Sequence, residues 1–189
     1  MEKFLIAGLG NPGDEYANTR HNAGFQMLDH LAEKEKLKFE SDRHGWVTYH
    51  KFKGRTLVLL KPNTFMNLSG KAVSYWLQQE KINPRNLLVI TDDIALPFGE
   101  LRLKGKGSDA GHNGLKYIFR VLNSVEFPRL RVGIGAEFNR GGQSDYVLGP
   151  WNEEELPKLP ALKEKCLEMV FSFVAIGLDR TMSSFNKKK

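Results

Sequence analysis

The sequence predicts an α/β fold: a single domain built on a mixed, mostly parallel twisted sheet with helices on both faces. Three observations carry that expectation. Strand-like apolar runs alternate with segments of helical periodicity along most of the chain. One run, Leu87-Leu88-Val89-Ile90, is unbroken and leads into Thr91-Asp92-Asp93, as a central strand covered on both faces requires. Two further runs, Trp46 to Phe52 and Arg55 to Lys61, are joined through Lys53-Gly54 as a hairpin, with glycine free to take the positive φ of the turn. At 189 residues, 41% hydrophobic and 26% charged, the chain has enough apolar surface for one core and no composition break marking a second domain.

Taken in order, Phe4 to Ala7 is expected to be a buried strand ending in Gly8-Leu9-Gly10-Asn11-Pro12-Gly13, and an amphipathic helix follows with Phe25, Leu28 and Leu31 on one face. After the hairpin, a second helix starts near Ser69 and packs Val73, Trp76 and Leu77. Beyond Asp93 come a short strand, Leu101 to Lys104, and a glycine-containing loop from Gly105 to Gly111. A helix then begins near Asn113 with Leu115, Ile118, Phe119 and Leu122 at i, i+3, i+4 and i+7. Arg129 to Gly135 reads as a further strand, and Glu137 to Pro150 as a polar loop without periodicity. The last helix takes Pro160 in its first turn and turns Leu162, Cys166, Met169, Val170 and Phe173 inward. In such a fold, ligands belong at the carboxyl ends of the strands, in the loops after Ala7, Lys61, Ile90 and Lys104.

Composition narrows the function. No apolar run approaches the roughly 18 to 20 residues of a membrane span, and the apolar run Phe4 to Ala7 that follows Met1-Glu2-Lys3 is too short for a signal peptide, so a cytoplasmic protein without a membrane partner is expected. The single cysteine, Cys166, excludes an internal disulfide and falls among apolar residues, as a buried thiol in a reducing compartment does. Lys and Arg total 28 against 22 Asp and Glu, giving +6 and a pI near 9.4, which favours a polyanionic partner. Three of these charges, Lys187 to Lys189, are expected with Asn186 in a solvated tail, leaving about +3 for the body. Placed cations therefore matter more than their number.

Gly8 to Gly13 matches the G-x-G-x-x-G pattern of dinucleotide-binding oxidoreductases, but Pro12 removes a backbone donor and the acid such a site needs, Asp29 or Glu33, falls inside the helix. A tight structural turn is the alternative. His21, just ahead of the first helix, reads either as a surface or capping residue or as a base, because a carboxylate at the end of the central strand, Asp92, can fix an imidazole tautomer. Asp92 and Asp93 otherwise end a strand or hold a divalent ion, and with no companion ligand at a recognisable spacing no metal or cofactor is expected. Asn11, Asn67 and Asn113 all lie beside strand ends or helix starts, where asparagine caps or turns the chain but also supplies neutral donors for an oxyanion. Without a G-x-S-x-G elbow, a histidine-activated water is a simpler proposal than a serine or cysteine nucleophile. Lys104 and Lys106, with Gly105, Gly107 and Gly111 ahead of a helix, form a candidate anion site, and Arg129 and Arg131 share one strand face, toward that site or toward solvent.

The segments Gly8 to Gly13, Tyr16 to Gly24, Lys61 to Gly70, Asp92 to Gly99, Gly111 to Leu115 and Arg129 to Gly135 together resemble bacterial peptidyl-tRNA hydrolase, in the family's order and over most of the chain. The resemblance implies an esterase acting on peptidyl-tRNA, with His21 as catalytic base, Asp92 as its orienting partner, and Asn11, Asn67 and Asn113 positioning peptide and water. It also implies that Tyr16 and Phe65 line the site near the scissile ester, that Lys104 and Arg131 clamp a tRNA phosphate, and that Glu137 to Leu148 is a mobile lid. Thr91, Asn63 and Ala110 depart from residues common in that family. A monomer with no obligate protein partner is expected. The rival is a noncatalytic RNA-binding protein on the same scaffold, which needs Lys104 and Arg131 but no base.

Overall fold

The computed structural model describes residues 1–186. Seven strands form one sheet: β1 (Lys3–Gly8), β2 (Glu40–Asp42), β3 (Gly45–Phe52), β4 (Arg55–Pro62), β5 (Leu87–Asp93), β6 (Leu101–Lys104) and β7 (Arg129–Gly133), in the order β2-β3-β4-β1-β5-β7-β6. The central four, β4, β1, β5 and β7, run parallel, whereas β3 and β2 at one edge and β6 at the other are antiparallel to their neighbours. The expected α/β architecture is thus present, with a parallel centre and antiparallel margins.

Period-two alternation explains why the central strands look apolar throughout. Phe4 and Ile6 of β1, Leu57 and Leu59 of β4, and Leu88 and Ile90 of β5 join the core under α1 (Ala23–Lys34) and α5 (Leu159–Ile176). Their neighbours Leu5, Ala7, Val58, Leu60, Leu87 and Val89 join a second core under α2 (Ser69–Gln79) and α3 (Asn113–Leu122). In the hairpin turn both Lys53, φ 46°, and Gly54, φ 75°, take the left-handed conformation that matches the strand twist.

Several boundaries differ from the expectation. The strand from Arg129 ends at Gly133, short of Gly135. The polar stretch from 137 to 150 contains α4 (Gln143–Val147), five residues and too short to show a period. The last helix stops at Gly177, whose φ of 90° favours glycine, and α6 (Leu178–Phe185) sets off in a new direction. Asn186, expected in the solvated tail, instead folds back on β6: its Nδ2 donates to Leu103 O and its Oδ1 accepts from Leu103 N, both at 2.9 Å. The three lysines of that tail lie outside the described residues.

The feature that positions the site is a backbone-to-backbone approach. A Cβ on Gly24 would lie 2.3 Å from Leu9 N and 2.5 Å from Ile90 O, and one on Gly8 would lie 2.3 Å from Gly24 O. The start of α1 therefore presses directly on the carboxyl ends of β1 and β5, which brings His21, just before the helix, to Asp92 on β5. Gly24→Ala must push the helix off the sheet, and a loss of about 3 kcal/mol of stability is expected. Denaturant unfolding checks this; an unchanged midpoint would mean the helix slides freely.

Candidate active site

Asp92 occupies the end of β5, and both of its oxygens are engaged. Oδ2 lies 2.8 Å from His21 Nδ1 and Oδ1 lies 2.9 Å from His112 Nε2, with the Asp92 side chain only 2% exposed. His112 is the N-cap of α3, and its Nδ1 accepts the backbone N–H of Leu115 at 3.3 Å. That ring nitrogen therefore carries no proton, so the proton resides on Nε2 and is donated to Asp92. The second oxygen takes the Nδ1–H of His21. What remains is Nε2 of a neutral His21, unprotonated and basic, with the imidazole rings of His21 and His112 4.9 Å apart.

The electrostatics follow the geometry. Burial alone would raise the Asp92 carboxyl, but the two histidines, through charge and hydrogen bonds, outweigh it and hold Asp92 well below the usual carboxylate range. For His21, burial works to lower the pKa, yet the charge of Asp92 and its hydrogen bond prevail and raise it above 6.5. His21 is thus a stronger base than a free imidazole.

Around this pair the loop after β1 is locked by a reciprocal amide pair: Asn22 Nδ2 donates to Asn11 O at 2.9 Å, and Asn11 N donates to Asn22 Oδ1 at 2.8 Å. Asn11 Oδ1 accepts from Met66 N at 2.7 Å, which fixes the amide orientation and leaves Nδ2 as a donor. A cleft of roughly 490 Å³ opens here, and Asn11, His21, Phe65, Asn67, Asp92 and Asn113 all contribute to its lining. Tyr16 stacks edge-on against Phe65, centroids 6.5 Å apart, and Phe65 is 57% exposed. The far wall comes from α4, through Gln143, Ser144, Val147 and Leu148.

The proposed phosphate residues lie apart from this cleft. In the β6–β7 ladder Lys104 faces Arg129 and Arg102 faces Arg131, so all four share one sheet face. They are not equivalent. Arg129 is 1% exposed, packed against the rings of Phe119 and Phe127 with its guanidinium donating to the carbonyls of Val125 and Gly107. Arg131 forms an ion pair of 2.5 Å with Asp93, whose own side chain also lines the cleft. Neither arginine merely solvates a surface. Alternation along β5 thus sends Asp92 to the histidines and Asp93 to Arg131.

Sequence reasoning missed His112, Asn22 and Arg20. The signal for His112 was its place before a helix, but Asn113 beside it was the better capping candidate, and a histidine that both caps a helix and grips a carboxylate has no spacing signature. His21, His112 and Asp92 also present nitrogen and oxygen atoms within 4.8 Å of one another, the companions to Asp92 that spacing alone did not show.

Fold and site together define an α/β protein in which a carboxylate-oriented histidine faces a cleft at the carboxyl edge of a parallel sheet centre. Residues 5–189 match the model of the family described as peptidyl-tRNA hydrolase. The peptidyl-tRNA hydrolase of Parabacteroides distasonis is 54% identical over 186 residues, covering 98% of this chain and all of that one. That of Cytophaga hutchinsonii is 52% identical over 187 residues, with 99% and 100% covered. The crystal structure of the Acinetobacter baumannii peptidyl-tRNA hydrolase superposes with a TM-score of 0.91 at 36% identity, over 98% of this chain and 95% of that one. The chain belongs to the peptidyl-tRNA hydrolase family.

Proposed function

We propose that the chain hydrolyses the ester joining peptide to tRNA in peptidyl-tRNA, with a water deprotonated by His21, and so frees tRNA from abandoned translation in the cytoplasm. The observation that carries this reading is the doubly anchored Asp92, which leaves His21 Nε2 as an oriented free base at the cleft. Water oxygen attacks the ester carbonyl carbon while Nε2 takes its proton. The oxyanion is met by amide donors such as Asn11 Nδ2, with Asn67 and Asn113 placing the peptide and the water. Collapse breaks the bond to the ribose oxygen, which recovers the proton from His21, and the products are a peptide carboxylate and a tRNA hydroxyl. Tyr16 and Phe65 flank the reacting ester. Every group used belongs to this chain.

A noncatalytic RNA-binding protein has no need of an imidazole with a committed tautomer, and this pair therefore favours the enzyme. The test is direct: N-acetyl-aminoacyl-tRNA, a blocked ester, is expected to be cleaved, and the free-amine form serves as comparison. No release of tRNA from the blocked ester would end the proposal.

Lys104 and Arg131 are assigned to a tRNA phosphate on this reading. Lys104→Ala is expected to raise KM and to lower the slope of log affinity against log salt by about one, with kcat little changed. Arg131→Ala is the less clean probe, because Asp93 is 5% exposed and would lose its ion-pair partner. A salt titration on Lys104→Ala decides: an unaltered slope removes Lys104 from the phosphate contact.

A further inference from the structure

The α4 wall of the cleft belongs to no strand, and a small set of contacts around Tyr146 ties it down. The Tyr146 hydroxyl donates to Ile134 O at 2.5 Å, and the ring packs on Phe138 with centroids 5.2 Å apart. Arg20 supplies the rest. Its guanidinium carbon sits 4.2 Å from the Tyr146 ring centroid, its NH1 donates to Tyr146 O at 3.2 Å, and its NH2 pairs with Glu155 at 2.8 Å. Both side chains of that ion pair are more than nine-tenths buried, at 9% and 8% exposure. Glu155 Oε1 also accepts from Asn152 N in the turn before α5. The backbone N–H of Arg20 donates to Gly149 O, and Thr19 bridges to Pro150.

A single buried guanidinium thus joins α4, the approach to α5 and the segment that carries His21. Its influence on the two sides is unequal. His21 is oriented by Asp92, which does not touch Arg20, whereas α4 depends on the Arg20–Tyr146 stack. We propose that Arg20 is a positioning residue that fixes α4 as the wall for the acyl side chain of the substrate, and so sets acyl-group selectivity without acting on the base. This rests on the ester-hydrolase reading above. Val147 and Leu148 give that wall apolar surface beside the polar Gln143 and Ser144, a lining that favours a bulky apolar acyl group over a small one.

Arg20→Lys keeps a charge for Glu155 but loses the planar stack and the fork. Tyr146→Leu removes the ring and leaves the Arg20–Glu155 pair, so it serves where Arg20→Lys does not fold. In either variant, amide exchange across 143–149 is expected to rise about tenfold, since a buried cation–π stack governs local opening. With N-acetylphenylalanyl-tRNA, KM should rise about three- to tenfold, and with N-acetylglycyl-tRNA less than about twofold, with kcat and its pH midpoint unchanged. Unchanged exchange, an equal rise in KM on both substrates, or a fall in kcat with a shifted pH midpoint would each overturn the assignment. Should the wild-type protein cleave neither ester, the hydrolase reading fails on its own, and exchange together with Kd for the two intact esters still decides the role of Arg20.

Discussion

His21→Ala is expected to lower ester hydrolysis by about two to four orders of magnitude, the range for a lost general base, while tRNA affinity stays close to that of the unaltered protein. The separation follows from placement: His21 lines the cleft, whereas the cations assigned to phosphate lie on β6 and β7. The fold should persist, because His21 stands ahead of α1 and the packing there is carried by Gly24, Ala23 and Met27. Single-turnover cleavage of N-acetyl-aminoacyl-tRNA, alongside a binding measurement, checks both halves. Undiminished turnover would take His21 out of the mechanism. In the unaltered protein kcat should climb as pH rises through a His21 pKa above 6.5, since the base acts only when neutral.

Asp92→Asn is expected to be at least as damaging, about three to four orders of magnitude, by a route the hydrogen bonds spell out. An amide offers one acceptor and one donor group where the carboxylate offers two acceptors. His112 must keep its proton on Nε2, because its Nδ1 is committed to Leu115 N–H, so the amide oxygen goes to His112. The amide NH2 then faces His21 Nδ1, which must accept, and the His21 proton moves to Nε2. The base is thereby capped by its own proton. The charge that raises the His21 pKa is also gone, so any residual activity should show its midpoint at lower pH. Activity near that of the parent, with an unmoved midpoint, would reduce Asp92 to a strand-end residue.

Much of this arrangement could be read before any coordinates. The central strand announced itself through an unbroken apolar run ending in two aspartates, whereas the close helix–sheet approach at Gly8 and Gly24 emerged only from the structure. His21 and Asp92 met because both lay where parallel sheets gather polar residues, at carboxyl strand ends. What stayed hidden depends on long-range partners. Arg20 carries no signal of its own in the sequence, because Glu155 and Tyr146, which enclose it, lie more than a hundred positions away. Arg131 reads as a free cation until Asp93 claims it. Elements of three to five residues, such as β2 and α4, are too short for a period of 2.0 or 3.6 to repeat. Ala110 has a φ of 51°, a left-handed conformation that a side chain enters at some cost. Local sequence cannot reveal that, because the loop it shapes is closed by Asp109 and His112.

The fold of Asn186 onto Leu103 has a bearing on how the protein behaves in a crowded cell. A sheet margin is a template on which a second chain can lay down a strand, and repeated addition leads to fibrils. Here the amide of Asn186 gives and takes the two hydrogen bonds a foreign backbone would need at Leu103, on a strand of only four residues. The opposite margin ends on β2, three residues long, with acidic Glu40 and Asp42 facing solvent. Neither border presents a long apolar row for recruitment. Both margins of the sheet are thus poor templates for strand addition by a second copy of the chain.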